Sequence, residues 1–416
     1  MKLLLLFDHR FFRAQDGRIF SDKAYNHRFF QSRYLRVFDE VSILARVADV
    51  ELAEPDGEAT EGAGVKVLAL PNWVGPLGYL RNRRRVVETA LREAAKPSAI
   101  IMMAPGGIGS LPYHRLHRQG YPVALEVVGD PWEAFQPKAV SHPLRPILRR
   151  WLARTLRNQC ADAAAVSYVT NEVLQKRYPC SGFSIGISDV VLPHSAFAAA
   201  PRRYLASSTP KTILYVGVMS HWFKGHDILI DSLSHLVSCG AALNLVLVGD
   251  GALRGQIESR VIRKGLSSMV RFTGQLPAGE AIRSELDRAD LFVLPSRTEG
   301  MPRALLEAMA RALPCVASRV GGVPEVLDSE FLFPPGDAQA LAMTLQSVLS
   351  DPARLSEMSA RNLQKALNYE DSKLSPKRQD FYRQVRMIAE RHKSPPRSPL
   401  LVSHSDFSAS SNRPRP

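Results

Sequence analysis

The sequence of 416 residues has few cysteines and no long apolar run, and both shortages narrow its possible functions. Its four cysteines lie at positions 160, 180, 239 and 315, and no two of them form a CxxC pair. This spacing argues against a zinc site and a disulfide framework, so we expect a reducing, cytoplasmic environment. The opening "MKLLLLFDHRFF" has too few apolar residues for a signal peptide, and no later run is long enough to span a bilayer. Any membrane contact is therefore expected to be peripheral.

Acidic residues are also in short supply. The 40 Asp and Glu residues face 54 Lys and Arg residues, which leaves a formal net charge of +14. A nucleic acid, membrane headgroups or a phosphorylated ligand could balance this charge. Nucleic acid is not expected, because the sequence has no recognisable nucleic-acid-binding module or aromatic platform. No DxD-type pair follows a strand where it could hold a metal ion on a diphosphate, so we predict no metal site and no cofactor.

Short apolar runs alternate with helical stretches along most of the chain. "KLLLLF", "VSILARV", "VKVLAL", "AIIMMA", "PVALEVV", "DAAAVSYVT" and "SDVVLP" are interpreted as strands before residue 195, and "TILYVGV", "LNLVLVGDG", "VRFTGQL", "DLFVLPS" and "PCVASRV" after residue 210. This alternation favours parallel βαβ units, and the length favours two domains. We therefore predict an α/β fold with Rossmann-like parallel-sheet domains at 1–195 and 211–368, joined by a linker at 196–210.

Two further segments complete the predicted organisation. Residues 369–393 are expected to contain a terminal helix after Pro376 that packs across the domain junction, because apolar residues recur there at helical spacing. Residues 394–416 are rich in Ser and Pro, and we expect a disordered tail.

Glycines and polar residues follow four predicted strands of the second domain. Gly217 follows "ILYV", and similar residues stand at 249–251, 296–300 and 321–322. Glycine often does no more than end a strand, but open parallel sheets bind ligands beyond the carboxyl ends of their strands. Four such ends in one domain favour a binding site there.

The stretch "TEGMPRALLEAMA" at 298–310 places two glutamates eight positions apart. Pro302 is typical of a helix start, which leaves Glu299 in the preceding loop. The free first-turn N–H groups, including those of Met301, Arg303 and Ala304, suit an anion. Glu307 lies roughly 7 Å along the helix axis, at 1.5 Å per residue. One element could therefore bind a diphosphate at its tip and a ribose on its flank.

With this stretch, the run "DLFVLPSRTEGMPRALLEAMARALPCVASRVGGVPEVL" resembles the E-x7-E region of glycosyltransferase family 4. These are retaining enzymes of the GT-B fold that transfer a sugar from a nucleotide diphosphate. "ILYVGVMSHWFKGHDILIDSL" and "LNLVLVGDGALRGQIE" resemble the family's preceding strands in the same order. "VVGDPWEAF" and "AVSYVTNEVLQKRYP" resemble a bacterial branch concerned with surface polysaccharides. The resemblance implies an acceptor-binding first domain and a nucleotide-sugar-binding second domain facing across a cleft, with the terminal helix crossing back.

The resemblance also implies roles for individual residues. Glu299 would contact hydroxyls of the donor sugar, Glu307 would hold the ribose, and Lys224 in "FKG" would neutralise the departing diphosphate. A fixed cation suits the last task, because it stabilises developing charge without a proton transfer. The remaining predicted donor-binding residues are Gly17, Gly217, Gly300, Met301 and Arg303.

The chain departs from the family pattern at two places. Val218 stands where the family usually carries an arginine, so Arg303, His221 or Arg297 would supply the missing phosphate cation. In the first domain, "EVVGDPW" offers Asp130 where the family often has a histidine beside an aspartate. Asp130 is either the residue that orients or deprotonates the acceptor hydroxyl, or a helix-capping residue.

Two basic segments lie in the first half, starting at Arg81 and at His142. The second has Leu144, Ile147 and Trp151 at helical spacing with arginines between them, as in an interfacial helix. The alternative is a core-facing helix with a solvated basic face. The first interpretation would place the domain on an anionic membrane, at the inner face of the plasma membrane, where a lipid-linked acceptor is available.

The sequence thus predicts a glycosyltransferase that moves a sugar, with UDP-sugar favoured, to a polyprenyl-diphosphate-linked or saccharide acceptor. The product would belong to an exopolysaccharide, a capsule or an O-antigen. A nucleotide-sugar epimerase of the same fold is one alternative. An inactive binding protein, whose basic surface faces membrane or nucleic acid, is another.

Overall fold

The computed structural model describes residues 1–21, 25–51, 58–96, 98–136, 142–206 and 210–392. Within these ranges the strands form two separate sheets, one from each half of the chain. Every strand pair is parallel except for one short hairpin, so the predicted pair of parallel-sheet α/β domains is confirmed.

The first sheet has the order β4-β3-β1-β5-β6-β7-β8, with β2 antiparallel to β1. Its strands are β1 (Lys2–Arg13), β2 (Ile19–Phe20), β3 (Glu40–Asp49), β4 (Val65–Leu70), β5 (Ser98–Ala104), β6 (Val123–Val127), β7 (Ala165–Tyr168) and β8 (Phe183–Gly186). Its helices are α1 (His27–Arg33), α2 (Gly75–Ala94), α3 (Gly107–Arg118), α4 (Pro131–Ala134), α5 (Arg145–Asp162) and α6 (Val173–Arg177). Helices α2, α3 and α5 contribute to the core on one face of the sheet, and α1 contributes to the core on the other.

The second sheet has the order β11-β10-β9-β12-β13-β14. Its strands are β9 (Lys211–Val216), β10 (Leu243–Val248), β11 (Val270–Gly274), β12 (Leu291–Leu294), β13 (Cys315–Ser318) and β14 (Leu332–Phe333). The helices of this half are α7 (His226–Ser238), α8 (Arg254–Arg263), α9 (Glu280–Arg288), α10 (Arg303–Ala310), α11 (Val323–Val326), α12 (Ala338–Leu349), α13 (Pro352–Ala366) and α14 (Asp371–Arg391). Because parallel strands place their carboxyl ends at one edge, the loops after β9, β10, β12 and β13 meet there.

Helix α14 returns to the first domain, as predicted. Phe381, Tyr382 and Val385 are buried in the first-domain core. The hydroxyl of Tyr382 donates to the carboxylate of Glu126 in β6 at 2.7 Å, and Arg33 of α1 donates to the Tyr382 oxygen at 2.8 Å. The terminal helix therefore ties the end of the chain to the first sheet.

Three local predictions need comment. "SDVVLP" is not a strand: Leu192 makes only an isolated bridge to Glu370, and β8 at 183–186 is the neighbour of β7 instead. Helix α14 begins at Asp371, before Pro376, so the proline lies inside the helix rather than ahead of it. The predicted disordered tail at 394–416 lies outside the described residues, as do positions 207–209 of the predicted linker.

No helix in the described part of the chain is both long enough and apolar enough to cross a bilayer. The four cysteines are free thiols, with Cys160 and Cys315 buried.

Candidate functional site

The loops after β9 and β12 lie side by side, because these two strands are neighbours in the second sheet. The loop after β9 contains Gly217 and ends in a short 3-10 turn, Trp222–Lys224, directly before α7. The loop after β12 contains residues 295–302 and leads into α10. The two segments singled out in the sequence thus meet at one edge of the sheet.

Lys224 and Glu299 form an ion pair at this edge. The Lys224 Nζ donates to Oε1 of Glu299 at 2.7 Å, and the hydroxyl of Ser296 donates to the same oxygen at 2.6 Å. The side chains of Lys224 and Glu299 are 21% and 10% exposed. The structure therefore brings together Lys224 and Glu299, which are 75 positions apart in the chain. The Ser296 hydroxyl also holds the Glu299 carboxylate in place.

Arg297 connects the two loops, and the sequence did not show how. Its two terminal nitrogens donate to the carboxylate of Asp227, the second residue of α7, at 2.9 and 2.7 Å. Its Nη1 also donates to the carbonyl oxygen of Trp222 at 2.6 Å. The backbone N–H of Arg297 donates to the carbonyl oxygen of Phe223 at 2.7 Å. Arg297 thus holds the turn that carries Lys224 against the loop that carries Glu299.

The start of α10 matches the predicted geometry closely. Pro302 is the N-cap residue in an extended conformation, and the helix begins at Arg303, which is exposed. Met301 lies before the helix and is buried. Among the described hydrogen bonds, the N–H groups of Arg303 and Ala304 have no acceptor. They are therefore available to an anion, which the positive end of the helix dipole would also attract.

Glu307 lies one turn after Arg303 on the same side of α10, and its side chain is half-buried. Burial raises the pKa of its carboxyl group, and the charges of Arg303 and Arg283 act in the opposite direction. In the described residues this carboxylate has no hydrogen-bond donor in contact with it. A half-buried acceptor without a donor is suited to a hydroxyl-bearing ligand.

The structure narrows the choice of residue that would replace the arginine expected at Val218. Val218 is 45% exposed and supplies no charge. Arg297 is committed to Asp227, and the ring of His221 stacks on Phe223 with their centroids 5.1 Å apart. Arg303 is exposed and lies on the first turn of α10, beside the free N–H groups.

Asp130 occupies the capping position rather than an open one. It is the N-cap of α4, and its Oδ1 accepts from the backbone N–H of Trp132 at 2.8 Å. It also accepts from the hydroxyl of Tyr178 and pairs with Arg177, and its side chain is 0% exposed. This is the capping alternative: an acceptor hydroxyl has no access to the carboxylate in this arrangement.

Gly17 lies in the turn that follows β1, and its predicted role in donor binding stays a prediction. Strand β1 continues through Arg13 and turns back into β2, so Gly17 lies in the hairpin turn with φ of 84° and open space around it. Asp8 lies in β1, near the loop that follows β5. Its carboxylate accepts hydrogen bonds from Arg46 at 3.1 Å and from the N–H of Gly107 at 2.5 Å. Asp8 was not among the predicted site residues, because nothing in the run "KLLLLFDHRFF" indicates that the strand extends beyond Asp8.

The two domains touch at the same edge. A carboxylate oxygen of Glu133 accepts from the N–H of Gly321 at 2.7 Å, and a Cβ on Gly300 would lie 2.5 Å from the carbonyl oxygen of Val128. In return, Glu325 accepts from three consecutive backbone N–H groups, residues 171–173, at 2.7 to 3.0 Å.

The electrostatic environment of Glu133 links this contact to the site. Burial raises the pKa of Glu133; the Gly321 N–H and Arg149 lower it, and the charge of Glu299 raises it. Glu133 and Glu325 carry contacts that no local sequence pattern indicated.

Among the described residues, no group of three His, Cys, Asp or Glu side chains is close enough to hold a metal ion. The prediction of activity without a metal ion stays a prediction.

The chain is similar to a family model, to other protein sequences and to solved structures. Residues 210–351 match the family model described as glycosyl transferases group 1. Protein CapJ of Staphylococcus aureus is 26% identical over 328 residues, covering 76% of this chain and 79% of CapJ. The amylovoran biosynthesis glycosyltransferase AmsK of Erwinia amylovora is 39% identical over 131 residues, but these cover only 29% of this chain and 32% of AmsK.

Solved structures share the fold. Sucrose-phosphate synthase from Thermosynechococcus elongatus superposes with a TM-score of 0.71 at 20% identity, covering 93% of this chain and 99% of that structure. HepE of Anabaena, in complex with UDP and glucose, superposes with a TM-score of 0.58 at 18% identity, covering 94% and 99%.

Proposed function

We propose that this chain of the GT-B fold, whose residues 210–351 match the model of glycosyl transferases group 1, is a glycosyltransferase. It transfers a sugar from a UDP-sugar during the assembly of a bacterial polysaccharide. The transfer retains the anomeric configuration, and the acceptor is a lipid-linked or free saccharide. The supporting relatives are CapJ, AmsK and a putative colanic acid biosynthesis glycosyltransferase of Escherichia coli, WcaL. UDP is favoured because HepE is solved with UDP and with UDP-glucose.

The observation that carries the proposal is the position of the Lys224–Glu299 pair, between the ends of β9 and β12 and just ahead of α10. A diphosphate placed on the first turn of α10 would meet the free N–H groups and Arg303. Lys224 can then exchange Glu299 for the diphosphate and stabilise the charge that develops as the leaving group departs. Glu299, released from the lysine, accepts hydrogen bonds from hydroxyls of the donor sugar, and Glu307 accepts those of the ribose.

A nucleotide-release screen tests the proposal directly. The full chain is incubated with UDP-, GDP- and ADP-sugars in the presence of polyprenyl-diphosphate-linked and free saccharide acceptors, and the nucleotide released is measured. We expect release from a UDP-sugar that depends on the acceptor and falls by at least about a hundredfold in Glu299→Gln, the scale of a lost transition-state contact. Glu330→Gln is the matched control, because that carboxylate is 49% exposed and remote from β12 in the sequence.

Two results would contradict the proposal. Conversion of one nucleotide sugar into another without release would show an epimerase instead. Absence of release with every donor and acceptor, from protein that still binds UDP, would show a binding protein.

The first domain presents a surface that favours a lipid-linked acceptor. On α5 the side chains of Leu144, Ile147 and Trp151 are 54%, 65% and 59% exposed, with arginines between them. On α2, Leu77 and Leu80 are 74% and 51% exposed, and the helix continues with a run of arginines after Asn82. Both groups lie near the starts of helices that contribute to the core on the same face of the first sheet.

We propose that this basic apolar surface rests on an anionic bilayer at the inner face of the plasma membrane. Exposed apolar side chains among arginines combine burial in the interface with attraction to acidic lipids. The protein should float with vesicles that contain phosphatidylglycerol and stay behind with phosphatidylcholine alone. Trp151→Ser combined with Leu77→Ser should abolish flotation, whereas Ile262→Ser, at a 67% exposed position of the second domain, should not. Equal behaviour of the two variants would reject the surface.

A further inference from the structure

A groove of about 640 Å³ opens on the second domain, between the turn that precedes α7 and the exposed side of α8. The indole of Trp222 forms one wall, and Gln256, Ser259 and Arg263 belong to the other. A Cβ on Gly255, which also lines the groove, would meet no atom within 4 Å. Trp222 belongs to the turn that carries Lys224, whereas the other lining residues lie on α8 or directly before it.

The walls of the groove are held in a fixed relation by backbone contacts. The N–H of Leu253 donates to the carbonyl oxygen of Met219 at 2.8 Å, and the N–H of Met219 donates to that of Asp250 at 2.8 Å. A Cβ on Gly251 would lie 2.5 Å from the carbonyl carbon of Met219, so the two loops are in direct backbone contact. The two segments that carry the walls of the groove are therefore fixed relative to each other by their backbones.

Positive charge on this side of α8 is only partly balanced. Arg260 donates through Nη2 to Asp231 at 2.5 Å, and Lys264 pairs with the same carboxylate at 3.4 Å. The Nε of Arg260 is buried without an acceptor among the described residues. Arg263 has no carboxylate partner in the described part of the chain, and its Nε reaches only the carbonyl oxygen of Ser259 at 3.4 Å. Two cations thus share one carboxylate and Arg263 has none, so an anionic ligand would satisfy the groups left over.

The shape and chemistry of the groove favour a chain of sugars. Within α8 the lining runs from Gly255 to Arg263, which is about 12 Å at 1.5 Å per residue. Guanidinium groups match carboxylates in geometry, and an indole offers a flat apolar face beside polar groups.

We propose that the groove binds an acidic saccharide chain, with carboxylates on Arg260 and Arg263 and a sugar face against Trp222. Gln256 and Ser259 would contact hydroxyl groups. This binding does not require donor turnover, so it can hold or fail independently of the proposed transfer reaction.

Isothermal titration of the full chain with an oligouronate hexasaccharide tests the proposal, with maltohexaose and UDP as comparison ligands. We expect the oligouronate to bind and Arg263→Gln to weaken it about tenfold, the typical effect of losing one charged hydrogen bond. Gly255→Phe should abolish binding, because its side chain would fill open space in the groove without displacing core atoms. Lys365→Gln removes the same charge from an exposed position on α13 and should leave the affinity unchanged.

Each other outcome overturns the proposal. Equal affinity for maltohexaose would show that the groove does not select acidic sugars. Competition by UDP that is lost in Arg263→Gln would make the groove a nucleotide site. Equal weakening by Lys365→Gln would show binding by net charge alone, and no binding of the oligouronate would leave the groove without this ligand.

Discussion

Arg297 offers the sharpest test of how the two loops of the site are held together. Its side chain is 10% exposed and that of Asp227 is 26% exposed, and the guanidinium donates to both carboxylate oxygens. Arg297→Met keeps an extended side chain but leaves the carboxylate without its cation. It also frees the carbonyl oxygen of Trp222, which Arg297 holds at 2.6 Å.

The expected cost follows from the burial of the pair. Removing one partner of a fully buried pair costs about 3 to 5 kcal/mol, and exposed pairs contribute under about 1 kcal/mol. Because water reaches a quarter of Asp227, we expect Arg297→Met to destabilise the second domain by about 2 kcal/mol. Adding Asp227→Asn removes the stranded charge, so the double variant should recover about 1 kcal/mol relative to additivity.

The pH dependence has a defined sign. Burial raises the pKa of Asp227, but the hydrogen bonds and charge of Arg297 outweigh it and hold that pKa below its ordinary value. The stabilisation is therefore complete above the unfolded-state pKa of about 3.9 and is lost as the pH falls through the lower folded-state pKa. The difference between wild type and Arg297→Met should shrink on acidification below about pH 4.

Native-state hydrogen exchange read by mass spectrometry can measure this effect locally, through peptides of α7 and of residues 295–302. Arg361→Met is the matched control, because Arg361 and its partner Asp328 are each 44% exposed, and it should cost under about 1 kcal/mol. Equal losses in the two variants, or strict additivity in the double variant, would refute the reasoning. In the sugar-transfer assay, Arg297→Met should lower kcat, since the turn with Lys224 is released.

Three further predictions follow from the same site. Glu307→Gln should weaken donor binding by about 1 to 3 kcal/mol in a nucleotide-sugar titration. Because burial raises the pKa of Glu307, the donor affinity of the wild type should fall as the pH drops through that raised pKa. The affinity of the variant should not show this fall. Gly225→Ala should destabilise the second domain by about 2 kcal/mol in urea unfolding. The φ angle of Gly225 is 79°, and a Cβ there would lie 2.0 Å from the carbonyl oxygen of Pro295. Gly255→Ala is the control and should not destabilise the domain, because the space around Gly255 is open. Activity should persist in full after treatment with a chelator, and its complete loss would show that a divalent ion is needed.

The alternation of strands and helices and the place of the main site could be derived from the sequence, although strands β2, β8 and β14 were not predicted. Strand-like runs alternating with helical stretches imply parallel sheets, and parallel sheets bring the loops after their strands to one edge. Gly217, Glu299 and the start of α10 were placed at that edge from local spacing, and Lys224 was placed there from the family resemblance. The structure brings them together at this edge. Pro302 marked the helix start to within one residue, because proline restricts its own backbone wherever it stands.

The partners of individual side chains could not be derived in this way. Whether Arg297 faces a phosphate or Asp227, and whether Asp130 is open or enclosed by Arg177 and Tyr178, depends on segments tens of residues away. That Gly17 lies in a tight hairpin turn depends on the length of β1, which is set by its pairing with β2 and β3. Local spacing specifies which face or edge a residue occupies, since that follows from the backbone period. Only the packing of distant segments decides which charges meet, and so which of them remain free for a ligand.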